Sequence, residues 1–93
     1  MQTSVNETEL DSRFNSAKLY PNPAQNQITI EIDNLNGLEY QVEIFSMMVQ
    51  LVGISHFSTN KLTLDISDLA AGSYIYKISA DGFDQAGKVI VER

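Results

Sequence analysis

The stretch Gln27-Ile28-Thr29-Ile30-Glu31-Ile32 decides the fold class. Its three isoleucines alternate with polar residues, so hydrophobic side chains recur at every second position. A period of two is the side-chain repeat of a β-strand, because successive side chains point to opposite faces of the sheet. One face of this strand is therefore apolar and the other polar, which predicts a strand that covers a hydrophobic core on one side.

The same alternation continues along the chain, whereas a helical period of 3.6 residues never persists for ten residues. Further strands are predicted at residues 19–20, 40–44, 50–54, 62–66, 74–78 and 89–91. Turn-forming residues separate them, at residues 21–23, 33–37, 71–72 and 81–82. About seven short strands, each with one apolar face, need a second sheet to cover that face. We therefore predict an all-β, immunoglobulin-like antiparallel β-sandwich.

The inward row of each predicted strand gives the predicted core. Its members are Ile28, Ile30, Val42, Ile44, Leu64, Ile66, Tyr74, Ile78 and Val89. The spacing of Leu69, Gly72 and Tyr74 is similar to a tyrosine corner, in which the phenol bonds back to nearby backbone. We interpret Tyr74 as structural, and we place Tyr40 and Tyr76 in the core rather than on a sugar-stacking face.

Three local expectations concern loops. Residues 33–37 are interpreted as a polar hairpin turn rather than a calcium loop, because they lack the alternating oxygen ligands and terminal glutamate. Residues 46–49 form another hairpin, where a β-branched Val49 disfavours a positive φ. We therefore expect a different or longer turn there. His56 lies between two predicted strands, which favours a surface loop.

Composition excludes several classes of function. Six Lys and Arg against twelve Asp and Glu give the 93 residues a net charge of -6. Nucleic acid and anionic membranes attract basic faces, so neither nucleic-acid binding nor direct membrane insertion is expected. The chain has no cysteine and one histidine, which excludes thiolate and two-histidine metal sites. With no serine in a nucleophile-elbow motif, we predict no enzyme, no catalytic residue, no metal and no cofactor.

The N-terminal segment differs from the rest of the chain. Residues 1–17 are rich in Gln, Thr, Ser, Asn and Glu, and their few apolar residues are too scattered to form a face. We interpret this segment as a flexible linker or leader. Residues 18–93 form the predicted domain, because a chain of this length has room for a single core.

Four motifs occur in an order typical of one known family. Tyr20-Pro21-Asn22-Pro23 precedes the isoleucine strand, and a Tyr-x-Val-x-Ile strand begins at Tyr40. A Leu-x-x-Gly-x-Tyr motif begins at Leu69, and the final motif is Lys88-Val89-Ile90-Val91-Glu92-Arg93. Over residues 18–93 this order resembles the type A C-terminal sorting domains of the Bacteroidetes type IX secretion system, also called the Por secretion system.

The resemblance implies a secretion signal rather than a catalyst. In that family the domain directs an upstream cargo of the same polypeptide from the periplasm through the outer-membrane translocon, to the cell surface or beyond. A sortase-like cysteine peptidase then removes the domain, and we expect any such cut between Met1 and Lys18. The resemblance assigns recognition to Tyr20, Pro21, Asn22, Pro23, Leu69, Gly72, Tyr74, Lys88, Val89, Ile90, Val91, Glu92 and Arg93.

Elementary chemistry suggests how the last motif acts. A final strand at a sheet edge offers unpaired backbone groups to a receptor, while Lys88 and Arg93 supply positive charge. The plainer interpretation is an ordinary strand needed only for folding. A functional alternative from another class is an accessory extracellular β-sandwich, which binds carbohydrate or packs against a neighbouring domain. That alternative predicts exposed aromatic side chains on one sheet face and a calcium site.

Overall fold

The structure is a computed structural model that describes residues 17–34 and 37–93. Within these residues the chain forms seven β-strands in two antiparallel sheets. The strands are β1 (Lys18–Tyr20), β2 (Gln27–Glu31), β3 (Tyr40–Ser46), β4 (Leu51–Phe57), β5 (Lys61–Asp65), β6 (Gly72–Ala80) and β7 (Phe83–Val91). No helix among the described residues is long and apolar enough to cross a membrane. The predicted all-β sandwich is confirmed, while most of the predicted leader, residues 1–16, lies outside the described part.

The two sheets contain three and four strands. The first has the order β1-β2-β5 and the second the order β4-β3-β6-β7. Because β2 and β3 lie in different sheets, the chain crosses between the sheets after β2, and the hairpin predicted at residues 33–37 is wrong. The side-chain amide of Asn34 organises this crossing. It accepts from the Leu38 N–H at 2.9 Å and donates to the carbonyl oxygens of Leu38 and Ser58, both at 3.0 Å.

The core between the sheets consists of two clusters. One contains Ala17, Ile30, Ile32, Tyr40, Val42, Phe57 and Ile78. The other contains Ala24, Ile28, Ile44, Ile66, Tyr74, Val89 and Val91. Three partly buried side chains, those of Leu19, Leu64 and Tyr76, contact both clusters. Eight of the nine predicted core residues are buried, whereas Leu64 is only half-buried because it lies on edge strand β5.

A glycine of β7 shapes the middle of the core. Gly87 is the register partner of Tyr76 on β6. A Cβ atom added to Gly87 would lie 2.5 Å from the Tyr76 hydroxyl oxygen and 2.6 Å from Cζ of the ring. The tyrosine ring therefore occupies the space that a side chain at position 87 would need. This contact fills the core between the two clusters.

The β3–β4 hairpin turns through a strained residue. Val49 has a φ of 63°, in the left-handed region, so the expectation that it avoids a positive φ is wrong. Its N–H donates to the Ser46 carbonyl at 2.9 Å, and the Ser46 N–H donates to the Gln50 carbonyl at 2.8 Å. The Ser46 hydroxyl oxygen also accepts from the N–H groups of Met48 and Gln50, at 3.2 and 3.3 Å. These bonds hold a short turn that the valine alone disfavours.

His56 lies within β4, not in the surface loop that the sequence suggested. Its side chain is exposed, and its Nε2 atom is 3.2 Å from Oε1 of Gln41, the residue opposite on β3. The strand ends one residue later at Phe57, whose ring stacks on Tyr40 at 5.4 Å between ring centroids. Desolvation by burial raises the pKa of Tyr40. The side chain of His56 is exposed and precedes the buried Phe57, so it points to the opposite face of β4, away from the core.

Truncating the core at Ile30 should destabilise the domain strongly. Ile30 has no exposed surface, so Ile30→Ala should lower the free energy of unfolding by about 2–4 kcal/mol through lost burial and a new cavity. The matched control is Ile90→Ala, since Ile90 is 40% exposed and should lose about 0.5 kcal/mol. Chemical denaturation followed by circular dichroism measures both, and equal losses would contradict the burial pattern.

Relieving the turn at Val49 should stabilise the domain. A left-handed conformation costs a β-branched residue about 1–2 kcal/mol, part of which the greater unfolded-state entropy of glycine offsets. Val49→Gly should therefore raise the free energy of unfolding by about 0.5–1 kcal/mol. Met48→Gly, at a neighbouring turn position without a positive φ, should lower it instead. The same denaturation experiment decides, and a loss in both variants would rule out strain at Val49.

Candidate recognition site

Three of the sequence motifs meet at one end of the sandwich, beside the C-terminal part of β7. They are the β1–β2 connection, the β5–β6 connection and the last strand with its final two residues. Hydrogen bonds join each of the three to another of them. We call this region the motif junction and define it as residues 20–26, 66–74 and 88–93.

The first part of the junction runs along the outer edge of β7. The Ala24 N–H donates to the Ile90 carbonyl, and the Glu92 N–H donates to the Ala24 carbonyl, both at 2.7 Å. The Asn22 side chain continues this pairing, since Oδ1 accepts from the Ile90 N–H and Nδ2 donates to the Lys88 carbonyl, each at 3.0 Å. Residues 22–24 therefore take the place of a neighbouring strand. The expectation that this end of the last strand offers unpaired backbone is wrong.

The local sequence explains why residues 20–24 pair with β7 in this way. Proline has no backbone N–H to donate to a neighbouring strand. With prolines at positions 21 and 23, the segment cannot continue β1 as a regular strand. Both X–Pro bonds, Tyr20–Pro21 and Asn22–Pro23, are cis. Between the prolines, which have no N–H, the side chain of Asn22 supplies both a donor and an acceptor to β7. Ala24 is fully buried against the second core cluster.

Arg93 ties all three parts of the junction together. Its guanidinium donates to the carbonyl oxygens of Ile66 at 2.6 Å and Leu69 at 2.8 Å, in the β5–β6 connection. It also donates to the Gln25 carbonyl and, at 3.2 Å, to the Asn26 side-chain oxygen, in the β1–β2 connection. Five donors in a rigid fork suit such a set of acceptors. The positive charge expected to face a partner is therefore largely engaged within the fold.

The β5–β6 connection contributes the predicted tyrosine corner. The Tyr74 hydroxyl donates to the Ala70 carbonyl at 2.6 Å, and the ring is buried in the second core cluster. Leu69 packs against the same cluster, and Gly72 has a φ of 153° that side-chain-bearing residues rarely adopt. These three family-motif residues shape the loop that binds Arg93.

The side chains of the last motif, residues 88–93, alternate between the inward and the outward face of the strand. Val89 and Val91 point inward and are 1% and 2% exposed. Lys88, Ile90 and Glu92 point outward and are exposed. Tyr20, Pro21 and Pro23, in the β1–β2 part of the junction, are exposed as well. The thirteen residues assigned to recognition thus comprise an outward group and a group that holds the junction in shape.

An acidic residue, Asp65 at the end of β5, borders the junction. Hydrogen bonds from the side chain and backbone of Ser67, the latter at 2.9 Å to Oδ1, lower the pKa of Asp65. The positive charge of Arg93 acts in the same direction. A carboxylate that stays ionised therefore stands beside the guanidinium.

Tyr20 is held by a separate contact, since its hydroxyl donates to Glu31 at 3.2 Å across the β1–β2 pair.

Sequence reasoning missed Gln85, which joins the start of the described chain to β7. Its Oε1 accepts from the Ala17 N–H and its Nε2 donates to the Ala17 carbonyl, both at 2.9 Å. The available signal was a polar residue in the inward row of a strand, two positions before Gly87. This contact buries Ala17 in the first core cluster. The proposed boundary between residues 17 and 18 remains a prediction.

The features of the alternative, an accessory sugar-binding or packing module, are not seen in residues 17–34 and 37–93. Among the Phe and Tyr residues of this part, Tyr20 is the one exposed side chain, at 40%. No group of three His, Cys, Asp or Glu side chains in the described part has a geometry that could hold a metal ion.

The family comparison agrees with the motif order. Residues 18–92 match the model of the family described as the secretion system C-terminal sorting domain. The chain belongs to this family. The resemblance to type IX sorting domains is confirmed, and the family is one of sorting signals rather than enzymes. Membership implies interaction with the secretion machinery and export to the cell surface or extracellular space.

A solved structure supports the fold of this sorting domain. It is the crystal structure of dimeric latent PorU from Porphyromonas gingivalis, with a TM-score of 0.67 and 24% sequence identity. The likeness covers 83% of the sorting domain chain but only 9% of the PorU chain. At this identity the likeness establishes the shared fold alone. Among curated proteins, no relative matches the sequence.

Removing the Arg93 guanidinium should loosen the sorting domain. Arg93→Ala leaves several carbonyl oxygens without their charged donor, so the free energy of unfolding should fall by about 1–3 kcal/mol. Arg93→Lys keeps the charge but not the fork and should recover only part of that loss. Lys88→Ala, an exposed cation on the same strand, is the control and should change stability by about 0.5 kcal/mol or less. Denaturant titration measures all three, and a similar effect of Arg93→Ala and Lys88→Ala would contradict the structural role.

Proposed function

We propose that the type IX secretion machinery recognises this domain through the folded motif junction. The supporting observation is that residues far apart in sequence converge there through hydrogen bonds, such as those between Asn22 and Ile90 and between Arg93 and Ile66. An unfolded chain does not hold these residues together. A receptor that binds the junction therefore distinguishes the folded domain from an unfolded precursor.

The outward side chains are the proposed contact surface. Lys88 and Ile90 on the exposed face of β7, and Glu92 just after the strand, offer a cation, an apolar group and an anion. Pro21, Pro23 and Glu92 help to line an open groove of about 520 Å³. Proline side chains lose little conformational entropy on binding, so they make an economical rigid contact. Val89, Val91, Leu69 and Tyr74 act indirectly, by holding this surface in shape.

The proposed sequence of events follows from the family. An upstream cargo in the same polypeptide reaches the periplasm, and outer-membrane translocon components bind the motif junction and pass the cargo outward. A sortase-like cysteine peptidase then cuts between Met1 and Lys18, which leaves the cargo secreted or at the cell surface. The hydrogen bonds between the Gln85 side chain and the Ala17 backbone support this position of the cut. The residues that follow Ala17 are paired in β1, so they are poorly suited to a peptidase.

An export assay tests the contact surface. The whole chain is fused after a periplasm-directed reporter in a host that has the type IX system. The double variant Lys88→Ala with Ile90→Thr removes an exposed cation and an exposed apolar side chain of the motif junction. The matched control, Lys77→Ala with Met48→Thr, makes the same changes at exposed positions elsewhere. We expect export to fall only for the junction variant, measured as the reporter fraction outside the cell.

Thermal unfolding of both purified variants must show an equally stable fold for the comparison to count. Parental export of a folded junction variant would contradict recognition through this outward row. An equal fall in both variants would mean that export responds to general surface properties rather than to the motif junction.

A further inference from the structure

The two long sides of the sandwich differ. On one side the outer edge of β7 is paired with residues 22–24. On the other side β4 ends one sheet and β5 ends the other, and no strand among the described residues pairs with the outer edge of either. An opening of about 190 Å³ separates these two edges. We call it the edge slot and define it by its lining, residues 42, 44, 52–54, 64–66, 68 and 69.

A glycine leaves the slot open. Gly53 is the register partner of Ile44, so it stands in the inward row of β4. At the other end of that row Phe57 covers the core by stacking on Tyr40, but at Gly53 no side chain does so. A Cβ atom added there would meet only the Ile44 Cβ, at an ordinary 3.8 Å. The floor of the slot is therefore apolar and unfilled, and there is room for a side chain in it.

Strand β4 has little of the usual protection of an edge strand. Edge strands of monomers are typically short, charged, bulged or interrupted by proline, and of these devices β4 has one bulge. The sequence of β4, Leu51–Phe57, contains neither proline nor Lys, Arg, Asp or Glu. Its Leu51 and Ile54 side chains are 50% and 54% exposed. A bulge at Val52 interrupts the pairing with β3, which leaves residues 53–57 as the regular part that an added strand would pair with.

We propose that the β4 edge and the edge slot together bind an extended segment of another protein. The segment adds as a strand to β4, places one apolar side chain in the slot, and sets a Lys or Arg beside Asp68. Added strands gain affinity from backbone hydrogen bonds and specificity from pockets for alternate side chains. The slot is smaller than the cavities of about 300–1,000 Å³ that hold small molecules, and it suits a single side chain.

Charge decides in favour of a basic segment rather than a second copy of this chain. Two carboxylates, those of Asp65 and Asp68, stand at the slot, in a chain of net charge -6. The neighbouring cation, Arg93, offsets the charge of Asp65, so the carboxylate left for a partner is that of Asp68. A second copy would bring the same two carboxylates to the slot and would be repelled. The slot shares residues 66, 68 and 69 with the motif junction but none of its outward row, Lys88, Ile90 and Glu92. Substitutions at Gly53 or Asp68 therefore test this proposal without changing the outward row.

Peptide binding to the whole chain tests the proposal. The probe is a short peptide, about as long as β4, in which lysine alternates with leucine, and its counterpart carries glutamate in place of lysine. Calorimetry measures affinity, and hydrogen–deuterium exchange locates the contact. We expect only the lysine peptide to bind, with new protection of amides in residues 53–57. Gly53→Val, which fills the slot, should weaken binding about tenfold or more.

A matched pair of charge variants completes the test. Asp68→Asn and Asp84→Asn each remove one exposed carboxylate, but Asp84 lies on β7 away from the slot. Asp68→Asn should weaken binding about threefold and Asp84→Asn should leave it unchanged. The proposal is overturned if neither peptide binds at millimolar concentration, if both bind equally, or if the two charge variants behave alike. It is equally overturned if protection appears outside β4, or if the chain alone dimerises through β4 in sedimentation and exchange experiments.

Discussion

The pairing of residues 22–24 with the outer edge of β7 is the constraint on which the rest of the structure depends. Ala24 and Asn22 belong to the chain between β1 and β2, which lie in one sheet, while β7 lies in the other. Their hydrogen bonds therefore join the two sheets along one side. Packing alone would allow the sheets to slide, because hydrophobic contact has no preferred direction. Directional bonds at this side set how the sheets are aligned, and Arg93, just past the same end of β7, makes a second link to the other sheet's connections.

This arrangement explains why the family motifs are hard to separate into structural and recognition residues. Lys88 and Ile90 contribute backbone groups to the sheet-to-sheet link and side chains to the exposed face. A substitution that changes the side chain alone leaves the backbone bonds intact. A truncation removes both, together with the guanidinium that binds the β5–β6 connection. Loss of the terminal residues would therefore weaken the fold and any recognition at once, whereas single outward substitutions separate the two.

The sequence predicted the parts of the fold that depend on which side of a strand a residue faces. Period-two patterning identified Ile28 and Ile78 as core, because burial of alternate residues follows from the strand itself. The bond from Tyr74 to Ala70 was predictable because both atoms lie within one loop. The partners of Arg93 were not, because they are mainly backbone carbonyls, which every residue carries. The pairing of β2 likewise depends on tertiary contacts, and at Val49 the hydrogen bonds of Ser46 within the turn outweigh the preference of the valine.

Gly87 and Gly53 both lie in the inward row of a strand, but only Gly53 leaves an open space beside it. A missing side chain alone therefore does not account for the edge slot. At Gly87 the missing side chain is replaced by the Tyr76 ring, and the core between the two clusters stays filled. At Gly53 no neighbour takes the space, although the backbone conformation and the distance to Ile44 allow a side chain. An unfilled apolar gap forfeits the dispersion contacts that a close-packed interior normally makes, so leaving it open costs stability. A domain of this size has little stability to spare, and a residue that fills the gap is sterically acceptable. A binding role for the slot accounts for the glycine where packing does not.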